Sequence, residues 1–154
     1  MSQDWIRTAR RLATATPNRP LQSDLRRAVS TAYYALFHTL ARDAANRLVG
    51  AESKVPHSPA WVQVYRALDH GTARTACEQV RRQSFSPSLN ACADAFVSLQ
   101  KERHKADYDP DYRTSRPEAL ALVTQAESAI TAFNAADATE RRAFLVHLIF
   151  NRRR

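Results

Sequence analysis

Two glycines, Gly50 and Gly71, are all that the 154 residues contain, and this scarcity narrows the fold more than any other feature. A sheet protein of this length needs glycine at many of its turns, whereas helices joined by short loops do not. Alanine and leucine, both strong helix formers, recur along the whole chain. The expectation is an all-α protein.

Apolar spacing divides the chain into helices. Trp5, Ile6, Ala9, Leu12 and Ala13 recur at helical intervals after Ser2 and stop before Pro17 and Pro20. The longest segment runs from about Ser23 to Val49, with Leu25, Val29, Ala32, Leu36, Leu40, Ala44 and Leu48 three or four residues apart. Gly50 and Pro56 break the pattern. Ser58 with Pro59 then supplies an N-cap and a first-turn proline for a helix striped by Trp61, Val64, Tyr65 and Leu68 and ended by Gly71. A weaker stretch over about 72 to 82 carries Ala73, Ala76, Cys77 and Val80. Ser86 and Pro87 repeat the cap signal for a helix through Leu89, Cys92, Phe96, Leu99, Arg103 and Ala106, stopped by Pro110. Ser115 and Glu118 are spaced as a capping box before Leu120, Val123, Ile130 and Phe133. Asp137 and Glu140 open a last helix with Phe144, Leu145, Leu148 and Ile149. Four substantial amphipathic helices with short connections pack most simply as an up-and-down four-helix bundle with additional short helices.

Composition sets the class. With 44 % apolar and 25 % charged residues the chain has enough to bury for one core, and its length suits a single domain over 1–154. No apolar run approaches the roughly 18 residues of a membrane span, and MSQDWIRTARR puts charge where a signal peptide is apolar, so a cytoplasmic protein without membrane contact is expected. Cys77 and Cys92 have no CxxC companions and read as buried small residues. The formal charge of +8, concentrated in part at Arg141, Arg142, Arg152, Arg153 and Arg154, favours anionic partners such as nucleic acid, or else is a solvated basic surface. No glycine-rich phosphate loop, HExxH, GxSxG or metal-spaced Cys and His set occurs, so neither a metal nor a cofactor is expected.

Arg103 is the residue that patterning does not account for, because the register places it in line with Leu89, Cys92, Phe96 and Leu99. A guanidinium facing inward needs an anion, since stranding a charge in low dielectric costs several kcal/mol. Asp107, one turn on, is the available mate; a bound phosphate is the alternative. The block ERHKADYDPDY crowds His104, Asp107, Tyr108, Asp109 and Asp111 around the end of the same helix, as site chemistry or as ordinary helix-stop residues. On the long helix Tyr34 and His38 are four apart and should touch along one flank of the apolar stripe, either as packing residues or as a site. His57, near Lys54 in the loop, is a cap, a bystander or a ligand contact.

Together these pieces resemble the HEPN superfamily, helical-bundle proteins found among prokaryotic ribonuclease toxins and as partners of nucleotidyltransferases. RRAVSTAYYALFHTL is similar to its long-helix signature, KVPHS at 54–58 to the following loop, and RHKADYD at 103–109 to its late arginine motif. The likeness spans about residues 20–135, leaving 137–154 as a C-terminal helix and basic tail. It implies a homodimer and a metal-independent ribonuclease of a toxin–antitoxin or defence system, with an antitoxin or nucleotidyltransferase as partner. The alternative is a non-catalytic binding module for RNA, a nucleotide or a nucleotidyltransferase. By the same resemblance Arg103 is the motif arginine, meeting the scissile phosphate, and His104 the polar residue beside it. The motif histidine should fall at position 108, 109 or 110, where Tyr108, Asp109 and Pro110 stand, so this is an ADYD-type variant. Proton handling is then expected from His104 or His38, with Lys54, His57, Tyr34, Asp107 and Tyr108 helping to hold phosphate or RNA.

Overall fold

A computed structural model describes residues 2–150, and every regular element among them is helical. The order is α1 (Ser2–Thr14), α2 (Gln22–Leu48), α3 (Pro59–Ala67), α4 (His70–Glu78), a short 3₁₀ turn at Val80–Arg82, α5 (Pro87–Tyr108), α6 (Arg116–Ala135) and α7 (Ala138–Phe150). The expected all-α bundle with extra short helices is what the chain forms. The terminal arginines Arg152, Arg153 and Arg154 lie outside the described residues.

Local chemistry sets the starts. Ser58 and Ser86 accept hydrogen bonds from the backbone N–H groups of Trp61 and Leu89, each with proline following in the first turn. At α6 both halves of the capping box form: Ser115 Oγ accepts from Glu118 N at 3.3 Å, and Ser115 N donates to the Glu118 carboxylate at 3.1 Å. Asp137 Oδ2 accepts from Glu140 N at the start of α7. The Glu140 carboxylate does not turn back to this cap; it accepts from the backbone N–H of Ser86, tying the start of α5 to α7.

Helix α2 is the spine, packed against α1, α5 and α6, while α5 and α1 also meet α6. Contact on several sides explains why its buried residues exceed one stripe: Ala28, Tyr33, Ala35 and Ala45 are fully buried beside Leu25, Val29, Ala32, Leu36, Leu40 and Ala44. The many alanines let neighbouring axes approach closely around Leu36, Leu40, Phe96, Leu99, Val123 and Phe133. Helices α3 and α4 lie to one side, α3 on α2 and α4 on α5 and α7.

Two boundaries and one buried position differ from the sequence expectation. Gly71 does not end α3; the break is made by extended Leu68 and Asp69, and Asp69 caps α4 by accepting from Thr72 N at 2.8 Å. His70 is thereby the first residue of a helix rather than a loop residue. The stretch over 72–82 splits into α4 and the 3₁₀ turn. In α6, Ala119 takes the fully buried place and Leu120 is only half-buried. Gly50, by contrast, stops α2 as expected, with a φ of +139° that side chains rarely adopt.

The end of α5 is held by Arg26 of α2, which donates to the backbone carbonyls of Ala106 at 3.3 Å, Tyr112 at 2.7 Å and also Asp109. Gln22 pairs with both backbone groups of Thr114, and the Tyr112 hydroxyl donates to Glu102 at 3.1 Å. Much of the polar crowding after Arg103 therefore fixes the α5–α6 connection. No helix among the described residues is long and apolar enough to cross a membrane.

Candidate functional site

The register of α5 turns Arg103 inward with Leu99, Gln100 and Ala106, and its residue is only 6 % exposed. On α2 the same level presents Ser30, Tyr33, Tyr34, Phe37 and His38. The Arg103 guanidinium carbon lies 5.1 Å from the centre of the Tyr33 ring and 5.8 Å from that of Tyr34, so both π faces share its charge. Nη1 lies 3.7 Å from the Asp107 carboxylate, whose other oxygen accepts from the Ser30 hydroxyl. Nε is buried and has no hydrogen-bond partner. The protein thus contributes a long ion pair, two aromatic faces and the Tyr33 hydroxyl to a cation that is almost removed from water, and leaves its Nε unmet.

Two imidazoles border this cation. His70 Nδ1 shares a 2.6 Å hydrogen bond with the Tyr33 hydroxyl, and its ring stacks on Phe37 with centres 4.1 Å apart. His38 Nδ1 shares a 2.6 Å bond with the Tyr65 hydroxyl, and its ring lies 4.9 Å from that of Trp5. Tyr34 stands between them, 5.8 Å from His38 and 6.0 Å from His70. Burial lowers the pKa of both histidines; for His70 the Arg103 charge and His38 add to the lowering and Asp69 opposes it. Burial also holds the Tyr33 hydroxyl in its protonated form, against the pull of Arg103. The site therefore carries the Arg103–Asp107 charge pair and two imidazoles that favour the neutral state.

Of the residues singled out from sequence, Arg103, Asp107, Tyr34 and His38 come together here. His104 is exposed, a helical step of about 100° from Arg103, with its ring 5.0 Å from the largely exposed Tyr108. His57 stacks on Trp61 at 3.8 Å; Trp61 stacks on Tyr65 at 5.3 Å, and Tyr65 bonds His38. An unbroken run of rings thus joins the 50–58 loop to the cluster, while Lys54 is exposed within that loop. The loop itself is drawn in by Glu52, which accepts from both the backbone N–H and the hydroxyl of Ser58.

Sequence reasoning missed His70, Tyr33 and Ser30. It also missed Arg74, one turn after His70, which donates to Gln100 at 3.1 Å and to Glu78 at 3.0 Å. The signal for His70 was present in Asp69, whose side chain three residues before Thr72 marks a helix start. Cys77 and Cys92 are buried, and burial raises the Cys92 thiol to about 12, so both are protonated packing residues. Among the described residues no three His, Cys, Asp or Glu side chains are grouped to hold a metal ion.

No protein-family model, curated protein or solved structure matches the chain.

Proposed function

We propose that this is a HEPN-like, RNA-directed protein whose Arg103 cluster takes a phosphate of an RNA chain, serving a metal-independent ribonuclease. The observation that carries the reading is the buried Arg103 guanidinium with its unpartnered Nε beside two imidazoles. A phosphate offers the oxygen acceptors that the 3.7 Å contact to Asp107 does not supply. The formal charge of +8 adds long-range attraction for a polyanion. In this reading the chain works as a homodimer and as the toxin of a toxin–antitoxin or defence pair, with the antitoxin or nucleotidyltransferase encoded beside it.

The test is incubation of purified protein with single-stranded RNA in a chelator, scored for 2′,3′-cyclic phosphate ends. Arg103→Ala should weaken binding and abolish cleavage. Light scattering should return a dimer mass. Absence of RNA binding by the wild-type protein, with and without the product of the adjacent gene, would overturn the reading. A second reading, a binding module without turnover, is favoured by Tyr108, Asp109 and Pro110 standing where a histidine is expected, at the end of α5 and just after it. Salt-sensitive RNA binding with no cyclic-phosphate product would select it.

A further inference from the structure

We propose that His70, held by the Tyr33 hydroxyl, is the proton acceptor of the Arg103 site and takes the 2′-hydroxyl proton of bound RNA at Nε2. This rests on the RNA-directed reading of the same cluster and adds the group that α5 lacks.

Three observations single out His70. Its Nδ1 is committed to Tyr33 at 2.6 Å and its ring is clamped on Phe37 at 4.1 Å, so Nε2 is the nitrogen left for a ligand, and it makes no hydrogen bond among the described residues. Arg103 and His70 grip the same tyrosine, the guanidinium over its ring and the imidazole on its hydroxyl, which fixes cation and base relative to each other through one rigid side chain. His38 has a matching bond to Tyr65, yet burial alone acts on its pKa, whereas the charge of Arg103 reaches His70. His104 is exposed and turned away. The titratable and charged groups facing His70 are Arg103 from α5, Tyr33, Tyr34 and His38 from α2, and Asp69 in its own cap. Their balance keeps the imidazole neutral at neutral pH, the form that accepts a proton.

The step balances without a metal. The 2′-oxygen bonds to phosphorus as the bond from phosphorus to the 5′-oxygen breaks. The 2′-hydroxyl proton passes to His70 Nε2, and the departing 5′-oxygen takes a proton from water. Arg103 offsets the charge that builds on the phosphoryl oxygens. The step uses the tautomer that carries its proton on Nδ1, donating to the tyrosine oxygen, which leaves the Nε2 lone pair free. The products are a 2′,3′-cyclic phosphate and a 5′-hydroxyl, and the imidazolium returns its proton to water.

The experiment compares wild type, Arg103→Ala, His70→Ala and His70→Asn on a fluorescein-labelled single-stranded RNA, with binding read by anisotropy and cleavage by gel in a chelator. Asparagine leaves a polar group near the position of Nδ1 for Tyr33 and removes Nε2. Both His70 variants should bind within about twofold of wild type and cleave about 10²- to 10⁴-fold more slowly, and they should lose the rise of rate with pH that the wild type shows. His70→Asn cleaving at the wild-type rate overturns the proposal and leaves the Arg103 reading intact. Wild-type protein that binds RNA and yields no cyclic phosphate overturns the proposal as well, and selects the binding module without turnover. Loss of binding and of thermal stability in both variants, with the pH profile of residual cleavage unchanged, assigns His70 a structural role and also overturns it. Wild-type protein that binds no RNA removes both readings.

Discussion

Arg103 and Asp107 face each other one turn apart on α5 with Nη1 and Oδ2 separated by 3.7 Å, an ion pair too long for a hydrogen bond. The carboxylate is drawn toward Ser30 instead, so the two charges attract without saturating each other. Neutralising the acid should therefore cost more than removing the base. Asp107→Asn leaves the buried guanidinium without its counter-charge and is expected to destabilise the fold by about 1–2 kcal/mol. That is less than the loss of a well-made buried pair, because the Asp107 side chain is 22 % exposed. Arg103→Met keeps the stem volume and removes the unmet Nε, and should stay within about 1 kcal/mol of wild type. Urea unfolding of both variants checks this. A loss of about 3–5 kcal/mol in Arg103→Met would make the guanidinium a structural element rather than a ligand site.

Arg26 should matter more to stability than any other surface-reaching arginine on α2. It donates to carbonyls of Ala106, Asp109 and Tyr112, closing the C-terminal end of α5 and the turn after it. Charge-assisted bonds of this kind contribute about 1.5–3 kcal/mol each when isolated and less when they share one donor, so Arg26→Ala is expected to cost about 2–3 kcal/mol. Arg26→Lys should recover only part of that, since one ammonium cannot span three separated carbonyls. Denaturant midpoints give the magnitude, and amide exchange across 107–114 should accelerate before the rest of the protein does.

The helices were legible because this chain marks their starts with Ser58–Pro59, Ser86–Pro87 and Ser115–Glu118 and is nearly free of glycine. The inward turn of Arg103 was legible for the same reason, since Leu89, Cys92, Phe96 and Leu99 define a stripe that fixes its register. That register also removes His104, one residue and about 100° further round the helix. His70 was hidden because Gly71 beside it reads as a helix stop and masks the start signal of Asp69, and its partner Tyr33 is 37 residues away. The role of Arg26 was illegible for a related reason: its acceptors are backbone carbonyls 80 or more residues along the chain, which no local pattern can announce. Local chemistry sets elements and faces; pairings across helices follow from packing.

Acid should weaken the fold through the two histidines. The folded-state pKa of His38 and of His70 lies below the ordinary value of 6.5. Unfolded chains therefore bind protons first as pH falls below that value, and stability declines with them. Above about pH 7 both states are neutral at these positions and the contribution is flat. Glu52, Asp69 and Glu127 also lose stabilisation in acid, but their pKa values are lowered from the carboxylate range and act in a more acidic window. Thermal melts between about pH 5 and 7 isolate the histidines, with His38→Gln and His70→Asn each flattening the decline. A melting temperature independent of pH over that window would mean that both rings are solvated in the folded state.

The dependence of RNA affinity on salt can separate a phosphate contact by Arg103 from a diffuse basic surface. Each phosphate neutralised on a single strand contributes about −0.7 to the slope of log K against log salt, because a condensed counterion is released. A contact at Arg103 makes that contribution discrete. Arg103→Met should therefore lower affinity and also reduce the slope by about 0.7, whereas a basic residue that acts only through the overall field shifts affinity with little change of slope. Arg142 is the internal comparison: it is exposed on α7, part of the basic excess, and outside the Arg103 cluster. Titrations of wild type, Arg103→Met and Arg142→Gln across a salt series read both quantities at once. Parallel lines for wild type and Arg103→Met would mean that the buried guanidinium never meets a phosphate, however strongly the protein binds RNA.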